Sequence, residues 1–205
     1  LTADDRQAVA EYIAEKRIGA PAPPPKMCAP GASPFDVAEP PPLAGWGLSA
    51  GNTHAIAPAV AGLTPAKAAA LRLKCAFAFP NALRARSQPT LGGGAIFVGS
   101  DDGSVFALDR RTGCARWVYQ AGAEVRDGLT LSPWRAGDAK ARPRIYFGDL
   151  VGEVYALDAR TGALVWKIKA DPHPSVTLTG SPSLVGDMLI VPVSSLEEAT
   201  ATDPR

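Results

Sequence analysis

The sequence predicts an all-β fold, a partial β-propeller of about two and a half four-stranded antiparallel blades, preceded by a short α-helix and a proline-rich linker. The main observation is an internal repeat. A segment ending in a Thr-Gly turn and a tryptophan occurs twice, 49 residues apart, as Val105–Gly113 with Trp117 and as Val154–Gly162 with Trp166. Ile96, Gly99 and Gly103 have counterparts at the same spacing in Ile145, Gly148 and Gly152. Repeats of this length are typical of propeller blades.

Each repeat predicts three strands joined by two turns. In the first copy, residues 96–98 are β-branched and aromatic, and Gly103 permits a tight turn. Residues 105–108 then alternate with the period of two that a sheet requires. Gly113 lets the chain reverse, so Trp117 is expected on the last strand of the blade.

A fourth, innermost strand is predicted upstream of each repeat. It is indicated by three dipeptides, Gln88-Pro89, Ser132-Pro133 and Ser181-Pro182. This alignment places a five-residue insertion within residues 135–142. The third copy includes Leu189–Val191 but no third Thr-Gly turn, so we expect the chain to be a fragment of a longer polypeptide that stops inside a blade.

The first 42 residues have a different composition. Thr2 and Asp5 indicate a helix N-cap pair, Val9, Tyr12 and Ile13 lie on one helical face, and Gly19 is suited to end the helix. Nine prolines then fall between Pro21 and Pro42, which favours an extended linker. A net charge of +1 argues against a nucleic-acid surface, and no apolar run approaches the length of a membrane span.

The repeat motif carries a resemblance to a known family. The pattern A-x-D-x-x-T-G-x-x-x-W is present at residues 107–117 and again at 156–166. The chain therefore resembles the eight-bladed quinoprotein dehydrogenase propellers, over residues 43–205. Several further segments are similar to the polyvinyl-alcohol dehydrogenases and their relatives: Trp46-Gly47, Asn52-Thr53, Gly62–Thr64, Leu71–Phe77, Val98–Gly103 and Val191–Glu198.

This resemblance implies a domain organisation. Residues 1–19 would be the last helix of a c-type cytochrome domain, although an ordinary amphipathic leader helix fits them equally well. Residues 20–42 would be the linker, and residues 43–205 the N-terminal part of the propeller. The chain has no C-x-x-C-H run, so a haem c would lie outside it.

The resemblance also implies cofactors, pyrroloquinoline quinone (PQQ) and Ca²⁺. PQQ carries three carboxylates and an ortho-quinone, which call for a guanidinium, hydroxyl donors and a divalent cation. By position, Arg126 matches the arginine that relatives direct at the quinone oxygens. Thr179 and Ser194 match hydroxyls that bind the cofactor, and Glu197 matches a calcium ligand.

Each of these positions has a plain structural alternative. Arg126 would be a surface charge, Glu197 part of an acidic loop, and Thr179 and Ser194 ordinary strand and turn residues. The chain also departs from the family, because Arg86 stands where relatives of methanol dehydrogenase have a glutamate. No catalytic residue is assigned, since the aspartate base of the family would come from a later blade.

The cysteines and tryptophans outside the repeat motif allow separate expectations. Cys28 in the linker and Cys114 after the turn are expected to form a disulfide, with two free thiols as the alternative. Cys75 occupies the place of a docking tryptophan in relatives and is expected to be a small buried residue. For Trp46 and Trp134, core or rim packing is favoured over stacking on a cofactor.

Two functions remain open at this point. The first is a periplasmic quinohaemoprotein alcohol dehydrogenase that oxidises a secondary or polymeric alcohol and passes electrons to a c-type cytochrome or another acceptor. The second is a non-catalytic propeller scaffold that binds protein partners, because cofactor-free propellers carry similar repeats.

Overall fold

Two consecutive four-stranded antiparallel sheets form the centre of the structure, a computed structural model that describes residues 2, 4–5, 23–42, 46 and 54–197. The strands of the first sheet, blade 1, are β1 (Thr90–Gly92), β2 (Ala95–Gly99), β3 (Ser104–Asp109) and β4 (Ala115–Gln120). Those of the second sheet, blade 2, are β5 (Thr130–Leu131), β6 (Arg144–Gly148), β7 (Glu153–Asp158) and β8 (Leu164–Lys169). In both sheets each strand pairs with the next one in sequence, as propeller blades require.

Shorter elements flank the two blades. Within residues 54–89, two short helices precede them, α1 (Pro58–Ala61) and α2 (Pro65–Ala69). Four short strands follow: β9 (Val176–Thr177), β10 (Ser183–Val185), β11 (Met188–Ile190) and β12 (Ser194–Ser195). β10 and β11 form an antiparallel hairpin that begins a third blade, and β9 pairs with β12.

The 49-residue register is confirmed in three dimensions. Trp117 lies opposite Ala107 in blade 1, and Trp166 lies opposite Ala156 in blade 2. The register shifts directly after each of these pairs, between Ala107 and Leu108 and between Ala156 and Leu157. The two tryptophans therefore occupy equivalent places on the outermost strands, as the sequence predicts.

The predicted register of the innermost strands is wrong in blade 2. Thr90 pairs with Phe97 and Thr130 pairs with Tyr146, so Thr130 is the counterpart of Thr90. Ser132-Pro133 follows β5 instead of preceding it, and the insertion lies in the β5–β6 connection. It is nine residues long, because 16 positions separate Thr130 from Tyr146 where seven separate Thr90 from Phe97.

A hydrogen bond between blades explains why the residue directly before an innermost strand need not be proline. The Thr90 hydroxyl donates to the carbonyl of Leu129, and the Thr130 hydroxyl donates to the carbonyl of Pro182. Leu129 directly precedes Thr130, the first residue of β5, and Pro182 directly precedes Ser183, the first residue of β10. The bond uses a backbone carbonyl, so leucine serves as well as proline.

The main core lies between blades 1 and 2. It consists of apolar side chains from both sheets, among them Phe97, Val105, Leu131, Phe147 and Tyr155. The rings of Phe147 and Tyr155 stack with centroids 4.9 Å apart. A second cluster on the other face of blade 1 joins Phe77 and Phe79 to Phe106.

Trp117 docks on the turn of the next blade. Its indole Nε1 donates to the carbonyl of Ala159 over 3.1 Å, and its ring lies against Gly162, where a Cβ atom would come within 2.7 Å of it. This confirms the structural role expected for Trp117. Trp166 is half-buried against Tyr146, with ring centroids 6.1 Å apart.

Cys75 lies on the equivalent turn of blade 1, but it is not buried. A Cβ atom on Gly113 would lie 3.5 Å from the Cys75 sulfur, the place that corresponds to Trp117 on Gly162. The position expected for Cys75 is therefore correct, whereas the expected burial is wrong, because Cys75 is exposed. A side chain this short cannot cover the turn as an indole does, and residues 71–79 form no strand that would enclose it.

The linker is attached to blade 1 along residues 26–39, which we call the strap. Met27 forms a parallel bridge with Ala115 at the outer edge of β4, with Cys28 N–H donating to the Ala115 carbonyl over 2.9 Å. The predicted disulfide between Cys28 and Cys114 is confirmed, and Cys75 is a free thiol. The strap thus covers a sheet edge that would otherwise be open to other chains.

Polar contacts hold the middle of the strap. The Ser33 hydroxyl donates to the Asp109 carboxylate, which also accepts from Arg116 over 3.0 Å. Burial alone would raise the pKa of Asp109, but the hydrogen bonds from Ser33, Arg116 and Thr112 outweigh it and hold this pKa well below its usual value. Glu39 accepts from Arg110 over 2.9 Å.

Only the start of the predicted N-terminal helix falls within the described residues. The Thr2 N–H donates to the Asp5 carboxylate over 2.8 Å, and the Asp5 N–H donates to the Thr2 hydroxyl over 3.1 Å, the reciprocal pair expected of a helix N-cap. The rest of this helix, including Gly19, lies outside the described residues. Within the described parts of the chain, no helix is long and apolar enough to cross a membrane.

Candidate functional site

A cavity of about 730 Å³ opens where the chain enters the innermost strands of three successive blades. Its lining comes from the segments that lead into β1, β5 and β10, together with single residues from other segments. The lining residues are Trp46, Arg86, Arg126, Asp127, Gly128, Thr179, Gly180, Ser181, Ser183 and Pro192. We call this cavity the inner pocket.

The three segments meet there because they hold equivalent positions. Thr90, Thr130 and Ser183 begin their innermost strands in the same register, since Ser183 pairs with Ile190 as Thr90 pairs with Phe97. Counting back four residues from each gives Arg86, Arg126 and Thr179. Successive blades are related by rotation about the propeller axis, so equivalent loop positions converge on that axis.

Arg126 and Thr179, both chosen from the sequence, therefore lie in one pocket. The Arg126 guanidinium is half-buried, and no described residue forms a hydrogen bond or ion pair with it. Thr179 is exposed, and its hydroxyl also has no partner in the described part of the chain. A guanidinium and a hydroxyl that are both free to donate are suited to an anionic ligand.

Asp127 is a pocket residue that the sequence analysis did not select. It is 3% exposed, and its Oδ2 accepts the Gly148 N–H over 3.0 Å. Oδ1 is buried without a partner among the described residues. Burial, with a smaller effect of the Asp149 carboxylate, raises the pKa of Asp127 to about 8 against the lowering effect of backbone hydrogen bonds.

The blade register gives Asp127 a structural role. Its counterpart in blade 1 is Ser87, whose hydroxyl accepts the Gly99 N–H over 3.0 Å, and Gly99 is the counterpart of Gly148. Serine and aspartate thus do the same work in the two blades. No motif around Asp127 signals this role in the sequence, because the match between the two residues depends on the corrected register of β5.

Ser194 and Glu197, the other two predicted site residues, lie in a different cavity. This second cavity has a volume of about 400 Å³ and includes Asp171 and His173. Ser194 is exposed and pairs with Thr177, whose own hydroxyl is buried without a partner among the described residues. The Glu197 carboxylate lies 3.4 Å from His173 Nε2.

The two implied cofactors fit these residues unequally. The inner pocket offers the volume, the guanidinium and the hydroxyl that an organic polycarboxylate needs. For a metal the fit is poor. Among the residues that the structure describes, no group of three or more His, Cys, Asp or Glu side chains could hold a metal ion, whereas Ca²⁺ takes six to eight oxygen ligands.

Two other sequence expectations concern tryptophans. Trp134 packs against Phe35 with ring centroids 5.3 Å apart and donates to the Val37 carbonyl over 2.9 Å, so the packing expected for it is confirmed. Trp46 is 54% exposed, stands edge-on to His54 and lines the inner pocket. It is therefore a pocket-wall residue and not a core residue.

Two four-stranded blades, the first of which docks Trp117 on the Thr-Gly turn of the second, define a β-propeller repeat protein, here with a pocket suited to an anion. Comparison with known proteins makes this more specific. The profile of the PQQ_2 family, described as outer membrane protein assembly factor BamB, matches residues 45–205, and the chain belongs to this family.

Individual relatives carry the name of an enzyme. A polyvinylalcohol dehydrogenase of Pseudomonas sp. is 39% identical over 116 residues, which are 57% of this chain and 17% of that protein. A polyvinylalcohol dehydrogenase of Sphingopyxis sp. (strain 113P3) is 33% identical over 79 residues, 38% of this chain and 12% of that protein. The matches thus span less than a fifth of these relatives.

One similar solved structure is the quinohemoprotein alcohol dehydrogenase from Comamonas testosteroni. It is 24% identical, with a TM-score of 0.45, over 56% of this chain and 18% of that one.

Proposed function

We propose that the complete protein containing this chain is a PQQ-dependent alcohol dehydrogenase of the periplasm. In this proposal it oxidises a secondary or polymeric alcohol and passes the electrons to a c-type cytochrome. The observation that carries the proposal is the inner pocket, in which Arg126 and Thr179 present unpaired donors. The names of the two polyvinylalcohol dehydrogenase relatives support the choice of reaction.

Each pocket residue has a defined part in this proposal. The Arg126 guanidinium donates hydrogen bonds to anionic or quinone oxygens, and the Thr179 hydroxyl donates to a carboxylate. Trp46 closes one wall and limits the access of water. When bound, PQQ supplies the two-electron acceptor that none of the amino-acid side chains provides.

Further parts of the proposal concern regions beyond the inner pocket. Residues 1–19 would be the end of a cytochrome domain carrying haem c, residues 20–42 its linker, and residues 43–205 the first part of the propeller. Ser194 and Glu197 line the second cavity, so their roles as a cofactor ligand and a Ca²⁺ ligand stay predictions that the inner-pocket proposal does not use. The disulfide between Cys28 and Cys114 supports an oxidising compartment such as the periplasm.

The test is reconstitution of the intact protein with PQQ and Ca²⁺, followed by a dye-linked assay on a secondary alcohol and on polyvinyl alcohol. We expect PQQ-dependent oxidation, and loss of PQQ affinity by roughly tenfold or more in Arg126→Ala. Arg144→Ala is the matched control, since Arg144 is exposed on β6 and lies outside the inner pocket. We expect the 205-residue chain alone to be inactive, because the base that accepts the alcohol proton would come from another blade.

A scaffold that binds protein partners is the second candidate. The observation that favours it is the match of residues 45–205 to the family described as outer membrane protein assembly factor BamB. The scaffold would be favoured over the enzyme if the intact protein showed neither a PQQ spectrum nor activity. In that case Arg126→Ala should also leave the affinity for every tested ligand unchanged.

A further inference from the structure

Arg86 holds a place in the inner pocket that family resemblance does not assign to an arginine. It stands at the position of blade 1 that corresponds to Arg126 in blade 2 and to Thr179 in the third blade. All three line the same cavity. Two guanidinium groups on consecutive blades therefore face one ligand volume.

The donors of Arg86 are only partly used. Glu124 accepts from Nη1 over 3.4 Å, a long contact, and Glu124 is not among the pocket-lining residues. Within the described part of the chain, no acceptor contacts Nε or Nη2. Since a guanidinium has five N–H donors, Arg86 retains donors for a bound anion while it keeps its contact with Glu124.

Among the described residues, one acid lines the pocket, and a second acid, Glu124 outside the lining, forms an ion pair with Arg86. Asp127 is the acidic residue that lines the pocket, and burial raises its pKa to about 8, so it is mostly neutral at pH 7. With Glu124 counted, the described charges around the pocket still sum to a positive value, because Arg126 has no acidic partner among the described residues. One guanidinium suffices for a single carboxylate, whereas two suit a ligand with at least two anionic groups.

We propose that Arg86 is a ligand-binding residue that pairs with Arg126 to make the inner pocket selective for a polycarboxylate. This inference rests on the proposed function for the identity of the cofactor, and it adds a determinant of affinity and selectivity. Arg86 binds one carboxylate of the ligand, and Arg126 binds a second anionic group on the adjacent blade. A pocket with one arginine would not distinguish a polycarboxylate from its neutral ester by charge to the same degree.

The test is calorimetric titration of the intact protein with three probes: PQQ, its trimethyl ester and citrate. Arg86→Gln is the variant, and Arg84→Gln is the matched control, because Arg84 is exposed two residues away and does not line the pocket. We expect Arg86→Gln to weaken PQQ binding roughly tenfold or more and Arg86→Lys to restore part of it. The ester should bind equally well to wild type and to Arg86→Gln, which a loss of folding would not produce.

The outcomes separate the two claims. If wild type binds PQQ and Arg86→Gln binds it as tightly as Arg84→Gln, the role of Arg86 is wrong and the proposed function stands. If wild type does not bind PQQ but binds citrate, and Arg86→Gln weakens that binding, the anion site stands and the cofactor assignment falls. Binding of none of the three probes would overturn both.

Discussion

At the scale of single residues, the two repeat tryptophans differ in what surrounds them. Trp117 is 7% exposed, packs against Phe97 and is bonded to the Ala159 carbonyl of the next blade. Trp166 holds the equivalent position against Tyr146 and is only half-buried. Because the indole Nε1 of Trp117 reaches the following blade, Trp117 stabilises the interface between blades, and Trp166 has no such bond among the described residues.

Because the two tryptophans differ in burial, Trp117→Ala and Trp166→Ala can be compared directly. We expect Trp117→Ala to lower the free energy of unfolding by about 3–5 kcal/mol, the range for a buried aromatic residue. Trp166→Ala should have a clearly smaller effect, since less buried area is lost. Urea unfolding followed by far-UV circular dichroism measures both, and equal losses would contradict the docking role.

Asp127 predicts a pH dependence of stability. Its pKa is raised to about 8 in the folded state, whereas an unfolded aspartate titrates near 3.9. Between these values the folded state binds the extra proton, so this residue contributes most stability at low pH and loses that contribution as pH rises to about 8.

Asp127→Asn removes this titration and keeps an acceptor for the Gly148 N–H. As the pH rises from 5 to 8, wild type should therefore lose on the order of 2–4 kcal/mol of unfolding free energy that the variant does not lose. Urea titrations at the two pH values measure the change. Asp187→Asn, at an exposed turn, is the control, and a parallel pH profile for both variants would be evidence against a raised pKa.

At the scale of elements, the two blades differ in whether another segment covers the outer edge of the outermost strand. The strap covers the outer edge of β4 through backbone hydrogen bonds at residues 26–28. β8 ends its sheet in the same position, and no described residue bridges its outer edge. Blade 1 is therefore protected by a segment that the sequence indicates as a linker attached through the Cys28–Cys114 disulfide, whereas its backbone pairing with β4 is found only in the structure.

The disulfide is expected to hold the strap in place. In the double variant Cys28→Ser/Cys114→Ser, the free energy of unfolding should fall by about 2–4 kcal/mol, since the bridge closes a long loop of the unfolded chain. The amides of Cys28 and Asp36, which donate to the Ala115 and Gly93 carbonyls, should lose protection from hydrogen exchange.

Cys75→Ser provides the control for that experiment, because Cys75 is exposed and outside the bridge. It should leave both the stability and the strap protection unchanged. Unchanged exchange rates at Cys28 in the double variant would show that the backbone contacts alone hold the strap.

At the scale of the whole molecule, the contrast between blades predicts self-association. Ile168 corresponds to Tyr119 of blade 1, which packs against Phe147 and Tyr155 of blade 2. Ile168 is 61% exposed, since no described residue covers it as blade 2 covers Tyr119. An uncovered apolar strand at a sheet edge favours pairing with another chain.

We therefore expect the 205-residue chain to self-associate at high concentration and Ile168→Lys to reduce this association. Sedimentation velocity over a range of concentrations measures it. Asp187→Asn changes the net charge by the same amount away from β8 and should have little effect. If both variants reduce association equally, net charge and not the β8 surface is responsible.

The sequence by itself determined the blades. The 49-residue repeat, the period of two in residues 105–108 and 154–157 and the Thr-Gly turns are local signals, and each depends on residues close together in the chain. For the same reason it placed Trp117 and Trp166 correctly on the outermost strands. The sequence also predicted the pairing of Cys28 with Cys114, because one lies in the linker and the other directly follows a turn.

Only the tertiary structure decided how the blades face one another. The start of β5 at Thr130, the exposure of Cys75, the entry of Arg86 into the inner pocket beside Arg126, and the separation of Ser194 from Thr179 depend on contacts between blades. Such contacts join residues about 40 to 50 positions apart through the rotation that relates one blade to the next. A local pattern does not contain that rotation, so the pocket residues converge only once the sheets are packed.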